Sequence, residues 1–193
     1  MAKSTLNKYE AHHHFEWSSV VAGTIIALAI TVVLMQFGAA IGHTGELDLN
    51  ADDLTHWHVI VLGLWVLLVQ IISSLSGGYV AGYTRSVSPE LSPHVNEMRD
   101  GIYGLTVWAV STVAVFIATS VFAAITAIYS ANTDGSILPN ELTDKQQNAA
   151  IAAAFALGAT SFLAAAISWW AAVMGGYHRL NNEDFDKKYM FLK

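Results

Sequence analysis

Charge is missing from four long stretches of this chain. No Asp, Glu, Lys or Arg occurs in residues 17–42, 58–84, 101–129 or 149–177. Each stretch is longer than the roughly 20 residues a helix needs to cross a hydrocarbon core about 30 Å thick. A charge near mid-bilayer costs about 2.5–3.5 kcal/mol on insertion scales, and the sequence avoids it four times. Charged residues make up 12% of the whole, against about 25% in a soluble domain. The expectation is an all-α integral membrane four-helix bundle. It forms a single domain over residues 1–193, with spans at about 17–42, 58–84, 101–129 and 149–177 and polar tails at 1–16 and 181–193.

A cleaved signal peptide fits the first stretch poorly. Its apolar run far exceeds the 7–15 residues of a typical h-region, and Glu10 and Glu16 precede it. The absence of cysteine removes disulfides and thiolate metal sites. A net charge of −6 with no basic block argues against a nucleic-acid partner. Lys and Arg then orient the spans. The N-terminal tail carries Lys3 and Lys8, the middle loop Arg85 and Arg99, and the C-terminal tail Arg179, Lys187, Lys188 and Lys193. The loops at 43–57 and 130–148 hold only Lys145. By the positive-inside rule both termini and the middle loop are expected in the cytoplasm.

Boundary signals refine this map. Asn50 is a candidate N-cap for the second span, with Asp53 three residues on. Ser88-Pro89 and Ser92-Pro93 each read as an N-cap followed by Pro at the first helical position, which predicts a short surface helix leading into the third span. Thr143 with Gln146 forms a candidate capping box for the fourth.

Glycine is the next constraint. "SSLSGGYVAGYTR" at 73–85 and "AAVMGGYHR" at 171–179 both place Gly-Gly-Tyr shortly before an arginine. Either the helix pair 1–2 has been duplicated as 3–4, or the endings agree by chance. Lipid tails are as apolar as leucine, so membrane helices associate by close backbone approach at small residues four apart. Gly23/Ala27 and Gly38/Gly42 supply such pairs in the first span, and Gly78/Gly82 in the second, with Gly77 and Ala81 nearby. The fourth offers Ala154/Gly158, Ala171/Gly175 and Ala172/Gly176. These positions pack the bundle internally, dock a partner subunit, or do both on different faces. Tyr79, Tyr83 and Tyr177 flank them where a phenol can keep one end wet.

Polar side chains within the spans are few. Gln70 lies deep in the second, with Ser73 and Ser74 three and four residues on and therefore on its face. An amide in hydrocarbon needs a partner, so this trio reads as interhelical glue; a solute path is the alternative. His43, His56 and His58 gather at the expected outer surface among carboxylates and are the best metal candidates. Against that, residues two apart on a helix cannot both face one ion, which leaves solvated interface histidines as the other reading. No histidine falls inside a span, so a haem held between helices lacks axial ligands. No HExxH, phosphate loop or Ser-His-Asp spacing appears, and no acid or base lies within a span as a proton relay would need. No enzyme activity and no cofactor are expected.

"WSSVVAGTIIALAITVVLMQFGAAIG", "GGYVAG" and "GLTVWAVSTV" resemble a group of small bacterial membrane proteins often labelled PhnA-like. Its members show a Trp-led first helix ending in Gly-x-x-x-Gly, a glycine-rich end to the second and a Gly-Leu-x-x-Trp-Ala start to the third. Trp17, Gly38 and Gly42 match the first feature, Gly77, Gly78 and Gly82 the second, and Gly104, Leu105, Trp108 and Ala109 the third. Where the group often has a histidine before Gly-Leu, this chain has Tyr103. The resemblance covers about two thirds of the chain and implies a multi-span protein of the bacterial inner membrane; it transfers no activity.

Three functions remain in view. The first is a non-enzymatic protein acting by helix–helix association, as an accessory subunit or a homo-oligomer, whose partners are the lipid bilayer and other membrane subunits or its own copies. The second is a small transporter or channel with a path near Gln70. The third is a metal-responsive sensor built on His43, His56 and His58.

Overall fold

A computed structural model describes residues 15–43, 56–86, 92–134 and 144–190. These residues form four helices: α1 (Trp17–His43), α2 (His56–Thr84), α3 (Pro93–Asp134) and α4 (Asp144–Met190). No strand occurs among them. All four helices are long and apolar enough to cross a membrane.

Two helices are longer than the charge pattern predicts. The third was expected to begin near Gly101 after a separate surface helix, but α3 runs unbroken from Pro93. Ser92 accepts from the Val95 and Asn96 amides through its carbonyl, and Pro93 takes the first helical position, where its missing N–H costs nothing. The fourth was expected to end in a polar tail from 181, yet α4 continues to Met190. A helix stops where its backbone loses partners, not where its side chains become charged. The candidate caps Asn50, Ser88 and Thr143 lie outside the described residues.

Antiparallel hairpins pair α1 with α2 and α3 with α4, while α2 and α4 run parallel and make the most extensive contact. A Cβ on Gly78 would strike the Ser168 carbonyl, and one on Gly82, a turn later, the Ala172 carbonyl. Across the same seam, a Cβ on Gly175 would strike the Tyr79 carbonyl. Gly23 and Gly77 face each other between α1 and α2; a Cβ on Gly23 would lie 2.5 Å from the Gly77 carbonyl and 2.9 Å from Val107 of α3. Ala27 joins this contact. The core lies beside it, formed by Val20, Ala27, Ala81, Tyr103 and Val107, with Phe15 packed against them.

Among the described residues, the backbone-to-backbone contacts at glycine lie at the end that carries Arg85, called here the charged end. Toward the far end the atoms nearest a Cβ on Gly38 belong to the Trp65 indole, whose Nε1 donates to the Leu34 carbonyl at 3.3 Å, while a Cβ on Gly63 or Gly158 would meet open space. The surroundings of Gly42 lie outside the described residues. The Gly-Gly pairs of the two similar endings do not occupy equivalent places. Gly77 faces α1 and Gly78 faces α4, whereas Gly175 faces α2 and Gly176 faces α3.

Gly82→Ala places a methyl on the Ala172 backbone and is expected to destabilise by about 1–3 kcal/mol, the usual cost of overpacking. Gly158→Ala enters open space and should be neutral or stabilising by up to about 1 kcal/mol through helix propensity. Unfolding in mixed detergent micelles, followed by circular dichroism, separates the two.

Candidate functional site

The charged end is built around the point where α2 stops. In a continuing helix the Gly82 carbonyl would accept from the Ser86 amide. Instead Ser86 N–H donates to Glu16 Oε2 at 2.9 Å, and the Gly82 carbonyl accepts from Arg179 Nη1 at 2.8 Å. The same nitrogen donates to the Arg85 carbonyl. A guanidinium from the parallel neighbour thus caps α2, where carbonyls lack intrahelical donors and partial negative charge collects.

Arg85 turns to α3. Its Nε donates to Asp100 Oδ1 at 2.6 Å and its Nη2 to the Asn96 carbonyl at 3.4 Å. The guanidinium carbon lies 5.5 Å from the centroid of the Tyr103 ring, within cation–π range. Asp100 Oδ2 is 3.6 Å from Arg179 Nη2, so one carboxylate sits between two guanidiniums. Arg85, Asp100 and Arg179 are 1%, 3% and 8% exposed, which takes the cluster out of water. Asn96, Asp100, Tyr103 and Val107 recur at intervals of four, three and four, so one face of α3 presents them all. Gly176 is required here, because a Cβ on it would collide with the Asp100 carboxylate.

Residues before α1 close the cluster. Phe15 stacks on Tyr103 with centroids 4.4 Å apart, and the Glu16 amide donates to the Tyr103 hydroxyl at 2.6 Å. Glu16 also accepts from the Ser86 hydroxyl. Partial burial pushes the Glu16 carboxyl up, but its two Ser86 hydrogen bonds, with the charges of Arg85 and Arg99, outweigh this and hold it below the ordinary glutamate value.

Further along the helices the bundle opens into a partly open cavity of about 390 Å³, lined by residues from all four helices. Valines, Met35, Trp108, Phe116 and Leu157 form most of the wall, and Gln70 contributes an amide. Gln70 lies fifteen residues before Arg85, or roughly 22 Å along the helix. Its Oε1 is buried and accepts no hydrogen bond from any described residue. The hydroxyl of Thr31 bonds the Ala27 carbonyl and, across to α2, Ser73, each at 2.9 Å. Ser111 and Thr119 donate to the Val107 and Val115 carbonyls of their own helix.

Gln70, Ser73 and Ser74 line one space, but they do different things. Ser73 joins two helices, whereas the Gln70 amide oxygen finds no donor on a neighbouring helix. Among the described residues no three His, Asp or Glu side chains gather as a metal site would need. The side chains of His43, His56 and His58 lie outside the described residues. Sequence reasoning missed the Arg85–Asp100–Arg179 cluster because it read Arg85 and Arg179 only as markers of orientation and gave Asp100 no role. A usable signal was present: Arg85 and Arg179 follow, and Asp100 precedes, a charge-free stretch at the same end of the bundle.

No family model matches this chain, and no curated protein or solved structure matches it either.

Asp100→Ala leaves two buried guanidiniums around an empty space and is expected to cost about 3–5 kcal/mol, as when one partner of a buried pair is removed. His94→Ala, which loses an exposed contact to Glu97 3.8 Å long, should change stability by less than about 1 kcal/mol. Glu16 yields a pH signature. Because its folded pKa is lowered, its contribution is complete above the ordinary carboxylate range and disappears as pH falls through the folded value. Glu16→Gln should therefore lower the melting temperature at neutral pH, and the gap from wild type should close on acidification.

Proposed function

We propose that this chain is a non-enzymatic, multi-pass protein of the bacterial inner membrane that acts by association with other membrane subunits or with its own copies. Its eight-to-one bias of Lys and Arg supports placing both termini and the Arg85–Asp100–Arg179 end in the cytoplasm. The resemblance to PhnA-like proteins supports the bacterial inner membrane as its location.

One observation carries the association reading: among the described residues, large apolar side chains along the far half of α3 are exposed. Val113, Phe116, Ile117, Val121, Phe122, Ile125, Ile128 and Tyr129 are all exposed. Amid them the same half carries small residues four apart, Ala114/Ala118, Thr119/Ala123 and Ser120/Ala124. Lipid alone would solvate a leucine-rich helix equally well, whereas small-xxx-small rows let a second backbone approach. Of the glycines from which the sequence argued for a partner, Gly23, Gly38, Gly77, Gly78, Gly82, Gly175 and Gly176 are occupied by contacts inside the chain, whereas Gly158 meets open space. The docking surface accordingly moves to α3.

A second reading, a small transporter or channel, draws on the cavity beside Gln70. Backbone contacts at Gly78 and Gly82 close that cavity toward the charged end, so passage would require α2 and α4 to separate. The metal-sensor reading gains no supporting observation.

Native mass measurement in a gentle detergent should give a dimer or larger assembly, or a complex with a co-purifying subunit. Ala123→Leu should shift it toward monomer without lowering the melting temperature of the monomer. A monodisperse monomer from wild type overturns the association reading. Solute flux into liposomes that vanishes in Gln70→Leu would promote the second reading in its place.

A further inference from the structure

Each of the four helices contributes a hydroxyl or an amide to the lining of the cavity, and none contributes a charge. Thr31, Ser111 and Thr119 donate to carbonyls of their own helices. A hydroxyl has one proton and two lone pairs, so these three remain available as acceptors. Ser74 is in a different condition. It is only 9% exposed, and its hydroxyl forms no hydrogen bond with any described residue. Its oxygen nevertheless is not sealed off as Gln70 Oε1 is, and it borders the cavity. The Ser161 hydroxyl and the Gln70 amide nitrogen are likewise unpartnered and unsealed among the described residues. The lining therefore offers donors and acceptors together.

An acyl chain and water are the two occupants a bilayer can supply. Lipid tails are as apolar as leucine, so a chain that leaves the bilayer for Val66, Trp108 and Phe116 gains nothing from the hydrophobic effect. It would also leave Ser74, Ser161 and the Gln70 amide nitrogen without partners, which is costly in hydrocarbon. Water both donates and accepts, and a buried water makes about three hydrogen bonds. Room is not limiting, at about 390 Å³ against about 30 Å³ per water in the liquid. The Gly78–Ser168 backbone contact closes the space toward the charged end. On its other side Met35, Phe116 and Leu157 are exposed.

We propose that this cavity is a water-filled recess, open away from the charged end, that brings water to the middle of the bilayer where Ser74, Ser161 and the Gln70 amide bind it. This goes beyond the association reading and does not depend on it.

Two phenylalanines form a matched pair for the test. Phe116 lies sixteen residues from Asp100 along α3, and Phe162 seventeen from Arg179 along α4. Asp100 and Arg179 are in contact, so the two rings sit at similar depth. They are 71% and 79% exposed, but Phe116 lines the cavity and Phe162 does not. Full-length protein in lipid nanodiscs is irradiated with X-rays, which split water into hydroxyl radicals that oxidise the nearest side chains, and oxidation is mapped by peptide mass analysis. Hydrocarbon supplies no water, so Phe116 should be oxidised about fivefold or more faster than Phe162. Ser161→Leu puts an apolar side chain into the recess and should bring Phe116 down to the Phe162 rate. Equal oxidation of the two rings in wild type, the result an acyl chain in the cavity would give, overturns the proposal. So does an excess at Phe116 that persists in folded Ser161→Leu. If that variant does not fold, the wild-type ratio decides alone.

Discussion

Backbone-to-backbone contact between α2 and α4 is the constraint on which the rest of this bundle depends. It is possible because Gly78, Gly82 and Gly175 present no Cβ to the carbonyls of Ser168, Ala172 and Tyr79. Two parallel helices held this close bring the end of α2 beneath Arg179, which can then reach the Gly82 and Arg85 carbonyls. The cap exists only because the seam is tight. The charge cluster in turn depends on the cap, since Arg179 thereby comes to face the carboxylate that Arg85 already holds.

Such a cluster need not be a source of net stability. Two guanidiniums and a carboxylate give up hydration when buried, and their mutual attraction often does little more than offset that loss. Its physical role is better seen in what it forbids. A slip of α4 by one turn would carry Arg179 roughly 5.4 Å from the carbonyls it bonds and expose Asp100 to an unpaired guanidinium. Apolar packing of alanine against alanine tolerates such slips far better. The cluster therefore fixes register where the small-residue seam alone would leave it poorly defined. Glu16 and Phe15 extend the same control to α1, tying its start to Ser86 and Tyr103.

The helical architecture could be read from the charge-free stretches, because burial of charge in hydrocarbon is a large and unambiguous penalty. Helix ends were less legible. α3 begins eight residues before its apolar run and α4 passes through charged residues to Met190, since backbone hydrogen bonding continues wherever no competitor interrupts it. Small-residue rows suggest close approach but do not say which neighbour arrives: Gly38 receives an indole, Gly78 a backbone, Gly176 a carboxylate and Gly158 nothing within 4 Å. Partner identity is a tertiary property, set by how three other helices are placed. The ion cluster was hidden for the same reason, Arg85 and Asp100 being separated by fifteen residues and Arg85 and Arg179 by more than ninety.

The cavity is a consequence of where side-chain size changes along the helices. At the charged end the facing residues of α2 and α4 are glycine, serine and alanine, and backbones touch. Toward the far end α2 presents Val66, Val69 and Gln70, and α4 presents Leu157, Ser161 and Ala164. Rigid helices joined closely at one end and separated by larger side chains at the other must diverge, and the divergence leaves a wedge. Its apex is the Gly78–Ser168 contact, so the space tapers toward the charged end and widens away from it. Gln70 lines this space, and its Oε1 is buried without a donor among the described residues.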